Sequence, residues 1–283
     1  MATLLLVMSD PHAGHKLGLL APGVELYDER PTGEIVRYSP ALTAFQDWAW
    51  FDVYVPGLSR AAQLANGAPI VILNLGDMVH GDGHAEQLIC TRMADQITIA
   101  CANMRAALDL PNVRAARFVF GTGVHEFGEG SAALMVASAM RIAYPAIDIG
   151  SLYHGLLTVD GATVDCAHHG PGTGNRLWLY GNNVRYYLRD IMLQEIVNGN
   201  TPPAIVLRGH VHTYARELLT IGTHTSQMVI APSLCGLSDY ARKASKSASS
   251  LTVGMVAFLL DAGRVVDCVP MIETIDVRTR EVI

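Results

Sequence analysis

The sequence predicts an α/β fold, on three observations. Apolar runs of strand length alternate with helical patterns between Leu4 and Val197, the pattern of a sheet covered by helices. From Ala204 onward strand patterns follow one another with little helix between them. Five of the apolar runs stop abruptly at aspartate or histidine. Polar residues at the carboxyl ends of strands stand where open α/β sheets bind ligands.

The composition fits a chain with a sizeable core: half of its 283 residues are hydrophobic and 16% are charged, and it reads as a single domain over 1–283. A net charge of −6 argues against holding nucleic acid on a basic surface. It leaves room for a brief encounter with a phosphodiester at a metal site. Cys90, Cys101, Cys166, Cys235 and Cys268 are scattered, with no CxxC pair. Their odd number points to reduced thiols and a cytoplasmic setting. Asp10 interrupts the apolar start too early for a signal peptide, and no basic leader precedes it. No apolar run reaches membrane-spanning length, so no membrane partner is expected.

Taken in order, the first strand is Leu4 to Met8, stopping at Ser9-Asp10-Pro11-His12. In an extended chain residues i and i+2 point the same way, so Asp10 and His12 are expected to reach one point. A stretch without sustained period, 14–40, reads as a long loop near that point. Ser39-Pro40 is a helix-start signal, with a helix expected over 41–54, a break at Pro56-Gly57 and a second helical segment over 58–65. The second buried strand, 70–75, ends in Gly76-Asp77-Met78-Val79-His80-Gly81, where the glycine allows a tight turn. A long helix is expected over 84–108, with Leu88, Met93, Ile97, Ala100, Met104 and Leu108 on its apolar stripe.

The third strand, 113–120, runs into Gly121-Thr122-Gly123-Val124-His125-Glu126, and a helix of small and apolar residues follows over 131–143. Segments 156–159 and 163–167 read as a hairpin around Asp160-Gly161, ending in His168-His169-Gly170. An amphipathic helix over 184–197 leads to the strand 204–208, which ends in Gly209-His210-Val211-His212. Four further strands are expected over 216–221, 224–230, 252–260 and 264–271.

Asp10-x-His12, Gly76-Asp77, His125-Glu126, His168-His169 and Gly209-His210-x-His212 each follow an apolar strand. Carboxylate oxygens and imidazole nitrogens suit divalent or trivalent transition metals. Any one block alone is an ordinary strand-to-turn junction; all of them in order make the signal specific. That order resembles the calcineurin-like metallophosphoesterase family, whose pattern is D-x-H, G-D, G-N-H-D/E, a histidine after a strand, and G-H-x-H.

The resemblance spans residues 3 to about 260. It implies a four-layer α/β/β/α sandwich with two mixed β-sheets. It also implies two metal ions, drawn from Mn, Fe, Zn, Co or Ni, bridged by a carboxylate and a hydroxide. Carried over position by position, Asp10, His12 and His212 hold the first metal, Asp77 bridges, and His168 and His210 hold the second. His169 is the alternative to His168. His125 takes the family's place for protonating the leaving oxygen, and Glu126 follows it to orient the loop.

One position departs from the family pattern. Val124 stands where the asparagine ligand would precede the histidine. Either the second metal has one ligand fewer, or Thr122 replaces the asparagine and the loop to His125 is two residues longer. The second alignment is preferred because it puts Gly121-Thr122 directly at the strand end.

The leading functional expectation is a metal-dependent hydrolase of phosphomonoesters or phosphodiesters. A degenerate member that binds a partner or phosphate without turnover is the alternative, with Val124 as its support. A nuclease is the third, with Arg176, Trp178, Tyr180, Arg185, Arg242, Lys243 and Lys246 available to line an approach. Arg176 is the candidate substrate-binding residue. The loops 14–39, 170–183 and 233–250 carry no readable signature for a substrate.

Overall fold

In this computed structural model, residues 2–128, 130–173, 179–237 and 249–281 are described. Two sheets lie face to face. The first contains β1 (Thr3–Met8), β4 (Ile70–Asn74), β5 (Val113–Val119), β6 (Asp148–Leu152), β12 (Ser250–Asp261) and β13 (Arg264–Asp276), in the order β13-β12-β1-β4-β5-β6. From β1 to β6 the neighbours are parallel, while β12 and β13 add an antiparallel flank. The second contains β7 (His154–Val159), β8 (Ala162–Ala167), β9 (Ile205–Arg208), β10 (Ala215–Ile221) and β11 (His224–Ile230), in the order β10-β11-β9-β8-β7. Here β9 is parallel to both of its neighbours. Both sheets are therefore mixed.

Strand alternation assigns the layers. On β1, Leu4, Leu6 and Met8 join a core with α2 (Val55–Ala65), α3 (Met93–Leu108) and α4 (Ser131–Ala143), while Leu5 and Val7 point into the core between the sheets. Facing them across that inner core are Val164, Cys166, Ile205, Leu207 and Val229 of the second sheet. The opposite face of the second sheet, through Val206, Met228 and Ile230, packs on Val184, Leu188 and Met192 of α5 (Asn182–Val197). The result is a four-layer α/β/β/α sandwich. A strand buried on both faces reads as an unbroken apolar run, which is why β1 and β4 stood out in the sequence.

Several expected elements are corrected. The loop 14–40 contains an antiparallel ribbon of β2 (Leu26–Glu29) and β3 (Ile35–Tyr38). Its strands are largely exposed and lack apolar alternation. The first helix starts at α1 (Ala44–Trp48), capped by a reciprocal pair between Thr43 and Gln46, so Ser39-Pro40 does not start it. It does not break at Pro56-Gly57. A π-helical turn over Ala49–Tyr54, closed by the Val55 N–H on the Trp50 carbonyl, leads directly into α2 with Pro56 as its second residue. The helix expected over 84–108 forms only from Met93; before it lies a 3-10 turn at Ala85–Gln87. Strand β6 carries no strand signal in the sequence, because Gly150 and Ser151 break its apolar pattern. Most of the loop expected over 233–250 lies outside the described residues.

Candidate metal centre

The five strand-end clusters meet at one edge of the sandwich. Their backbone geometry differs from the extended arrangement expected for Asp10 and His12. Both are left-handed, with φ of 52° and 44°, and so are Asp77 at 49°, His210 at 69° and His212 at 54°. Such conformations cost a non-glycine residue on the order of 1–3 kcal/mol and persist only where the surroundings over-determine them. Here the β1 and β4 turns hold each other through Asp10 N–H to Gly76 O at 3.1 Å and His12 N–H to Asp77 O at 3.0 Å. Convergence of Asp10 with His12 therefore comes from a tight turn laced to its neighbour.

Close backbone approach explains two glycines. At Gly76, with φ of 108°, a Cβ would lie 2.8 Å from His168 Nδ1 and 2.9 Å from the Gly121 Cα. A Cβ at Gly121 would collide with the Asp77 carboxylate.

One group of donor atoms is Asp10, His12 and His212. His212 Nε2 is 3.2 Å from Asp10 Oδ1 and 3.2 Å from His12 Nε2. Asp10 Oδ2 accepts from Ser9 Oγ and, at 3.1 Å, from the His210 N–H. Asp10 Oδ1 is buried and has no hydrogen-bond partner, and the same holds for His212 Nδ1. A buried carboxylate oxygen faced by two imidazole nitrogens, of which at most one can carry a proton in their mutual contact, is a pocket short of positive charge. Nitrogen and oxygen ligands of one ion stand about 3 Å apart when each is about 2 Å from it. The donor set fits a transition metal.

A second group surrounds Asp77. Its Oδ2 lies 3.1 Å from His168 Nε2 and 3.9 Å from His12 Nε2, so this one oxygen faces both groups. Thr122 Oγ1 is 3.4 Å from that oxygen, 3.2 Å from His168 Nε2 and 3.2 Å from His210 Nδ1. The Thr122 N–H donates to Asp77 Oδ1 at 2.6 Å. The Leu75 carbonyl, 2.7 Å from His168 Nδ1, accepts the proton there and leaves Nε2 pointing at Asp77. His168 is buried, whereas His169 is exposed with its ring 4.7 Å from that of His210. Val124 is 60% exposed, in the turn beyond Thr122.

The electrostatics without metal follow from this packing. Burial raises the pKa of Asp10, but His212, His168 and Ser9 outweigh it and hold the carboxyl below the usual range. Burial lowers that of His168, yet the hydrogen bond and charge of Asp77 prevail and bring it up to about 9. A proton on His168 thus stands in for a cation. Burial and the surrounding imidazoles push His12 well below its ordinary value and His80 down to about 3. Burial raises Glu126 to about 7. Glu126 Oε2 accepts from the Ala133 N–H at 3.0 Å and Oε1 from the Gly121 N–H at 3.2 Å, tying the 121–126 loop to α4.

His125 stands at the rim, half-buried, with its ring 4.7 Å from that of His12 and its Nδ1 2.7 Å from the His80 carbonyl. Arg176 and Trp178 lie outside the described residues, as do Arg242, Lys243 and Lys246. Two buried histidines absent from the expected set, His80 and His15, stack at 4.4 Å behind His12. The signal for His80 was its place three residues after Asp77, inside the same strand-end turn. His15 carried no comparable signal.

No protein-family model matches the chain, and no curated protein matches it. Among solved structures, a zinc complex of Vps29 from Entamoeba histolytica is 14% identical, covers 96% of this chain and 98% of its own, with a TM-score of 0.34. A Thermotoga maritima protein is 13% identical over 96% and 99%, at 0.36. A metallophosphoesterase from Sphaerobacter thermophilus is 12% identical over 98% and 89%, at 0.35. At these identities and scores the likeness says nothing of activity. No helix among the described residues is long and apolar enough to cross a membrane. With two mixed sheets face to face, helices outside each, and the five strand-end clusters gathered at one edge, the chain has the four-layer α/β/β/α architecture that its resemblance to the calcineurin-like metallophosphoesterases implies.

Proposed function

We propose that the chain is a dinuclear metal-dependent phosphoesterase. The observation that carries this reading is the single oxygen Asp77 Oδ2, which faces His12 on one side and His168 and Thr122 on the other. Asp10, His12 and His212 would hold one ion, Thr122, His168 and His210 the other, with Asp77 between them. Such ions, when bound, lower the pKa of a water toward neutrality and offset the negative charge of a phosphate ester.

The chain's own groups do the rest. Nδ1 of His125 is committed to the His80 carbonyl, so its Nε2 is the nitrogen free to deliver a proton to the leaving oxygen. The exposed side of the site, formed by His125, Thr122 and His210, is the side open to a phosphate ester. Its floor of Asp10, His12, Asp77 and His168 is buried.

The degenerate reading rested on Val124, and that side chain points into an exposed turn while Thr122 stands among the donors. The test is purified protein treated with chelator, verified metal-free by elemental analysis, then assayed with Mn²⁺, Zn²⁺, Co²⁺ and Ni²⁺ on mono- and diester chromogenic substrates. Loss on chelation and recovery with metal is the expected result. Full activity in verified metal-free protein overturns the reading.

A further inference from the structure

We infer that His80 is a positioning residue that sets the proton positions of both His12 and His125. The inference rests on the metal-centre reading and concerns a residue outside its ligand set.

His12 turns its Nε2 toward Asp10, Asp77 and His212. To bind a cation there it must present a lone pair on Nε2 and carry its proton on Nδ1. That Nδ1 stands 3.3 Å from Nδ1 of His80. Two nitrogens at that distance share one proton, so His80 is the acceptor and carries its own proton on Nε2. A buried His12 left without this acceptor would lose a hydrogen bond and gain freedom to rotate or to change tautomer.

The acceptor is held in place from its backbone. The His80 N–H donates to Ala13 O at 3.0 Å and to Gln96 Oε1 at 3.1 Å. The Gln96 amide returns a bond to Gly81 O at 2.7 Å and another to Cys90 O at 3.0 Å. Gln96 lies in the first turn of α3 and is fully buried, so a rigid helix fixes the turn that bears His80. The His80 carbonyl, turned the other way, takes the proton of His125 Nδ1 at 2.7 Å. One residue therefore orients a metal ligand through its side chain and the rim histidine through its main chain. A neutral imidazole does this without adding a third negative charge beside Asp10 and Asp77. Acceptors that fix the second nitrogen of a metal-bound histidine are worth roughly 10–100-fold in metal affinity.

The halves separate on substitution, because side-chain replacement leaves the carbonyl. His80→Phe keeps a ring and removes the acceptor. His80→Asn places an amide oxygen where Nδ1 was. Chelated full-length protein is titrated with Co²⁺, read by its absorption, and with Zn²⁺ by calorimetry. His80→Phe should weaken the tighter binding step by about 10–100-fold and alter the Co²⁺ spectrum, while His80→Asn should bind close to wild type. Equal binding by wild type and His80→Phe overturns the inference, as does a loss in His80→Asn equal to that in His80→Phe. If His80→Phe does not fold, ¹⁵N-histidine NMR of zinc-loaded wild type decides. An unprotonated His80 Nδ1 coupled to a protonated His12 Nδ1 supports the inference, and a proton on His80 Nδ1 overturns it. Wild type that takes up no metal overturns the metal-centre reading and this inference together, a result distinct from tight binding that ignores His80.

Discussion

Thr122 holds Asp77 at two points: its N–H donates to Oδ1 at 2.6 Å, and its Oγ1 lies 3.4 Å from Oδ2. The same hydroxyl reaches His168 and His210. A neutral hydroxyl is a weak ligand, so the second ion should bind more weakly than the first, and metal titration should show two steps. Thr122→Ala should weaken the second step and leave the first alone, while Val124→Asn should change neither. Tightening by Val124→Asn with a silent Thr122→Ala would restore the rival alignment.

Asp77→Asn should be the most damaging change among the proposed ligands. A carboxylate oxygen facing both groups can hold two cations together, and a neutral amide does so poorly. Elemental analysis should find less than two metals per chain, with turnover lost alongside. Near-normal turnover with two metals bound would remove Asp77 from the bridging position.

His125→Ala should lower turnover by roughly 10²–10⁴-fold, the scale of general acid assistance, with metal content unchanged. Substrates with good leaving groups need little protonation and should suffer less. Metal loss in this variant would make His125 a ligand instead.

The metal-free protein should lose its His168 contribution as the solution becomes alkaline. The pKa of His168 is raised from 6.5 to about 9 by Asp77, so its pairing stabilises the fold fully below pH 6.5 and fades as pH rises through 9. The full effect is on the order of 3 kcal/mol. Denaturant melts of chelated wild type and His168→Gln should therefore differ most below pH 6.5 and converge by pH 10. Melts that stay equally far apart at every pH would show that the Asp77 pairing does not hold that proton. Metal uptake at pH 7 should also release close to one proton, because His168 must lose it to become a ligand.

Much of the candidate site was legible because each cluster is a local event, a buried strand ending in a residue able to bind a metal. Asp10, His12, Asp77, His168, His210 and His212 are all visible this way. Thr122 needed the further argument that it stands directly at the end of β5. The exposed β2–β3 ribbon and β6 were not legible, since neither carries an apolar alternation. The π-helical turn before α2 was hidden as well, because local signals around Pro56-Gly57 describe a break and the packing of Trp50 and Tyr54 overrides them.

The sequence by itself determined the α/β class, the strand ends that bear carboxylates and imidazoles and the residue types they offer, because burial on both faces and turn chemistry are short-range properties. Tertiary structure alone decided which nitrogen or oxygen of each residue faces which partner. The left-handed turns at Asp10, His12, Asp77 and His210 are held by hydrogen bonds between strands far apart in the chain. The burial of His168 beside an exposed His169, the split of the donors around one oxygen of Asp77, and the placing of His80 behind His12 all follow from that long-range lacing.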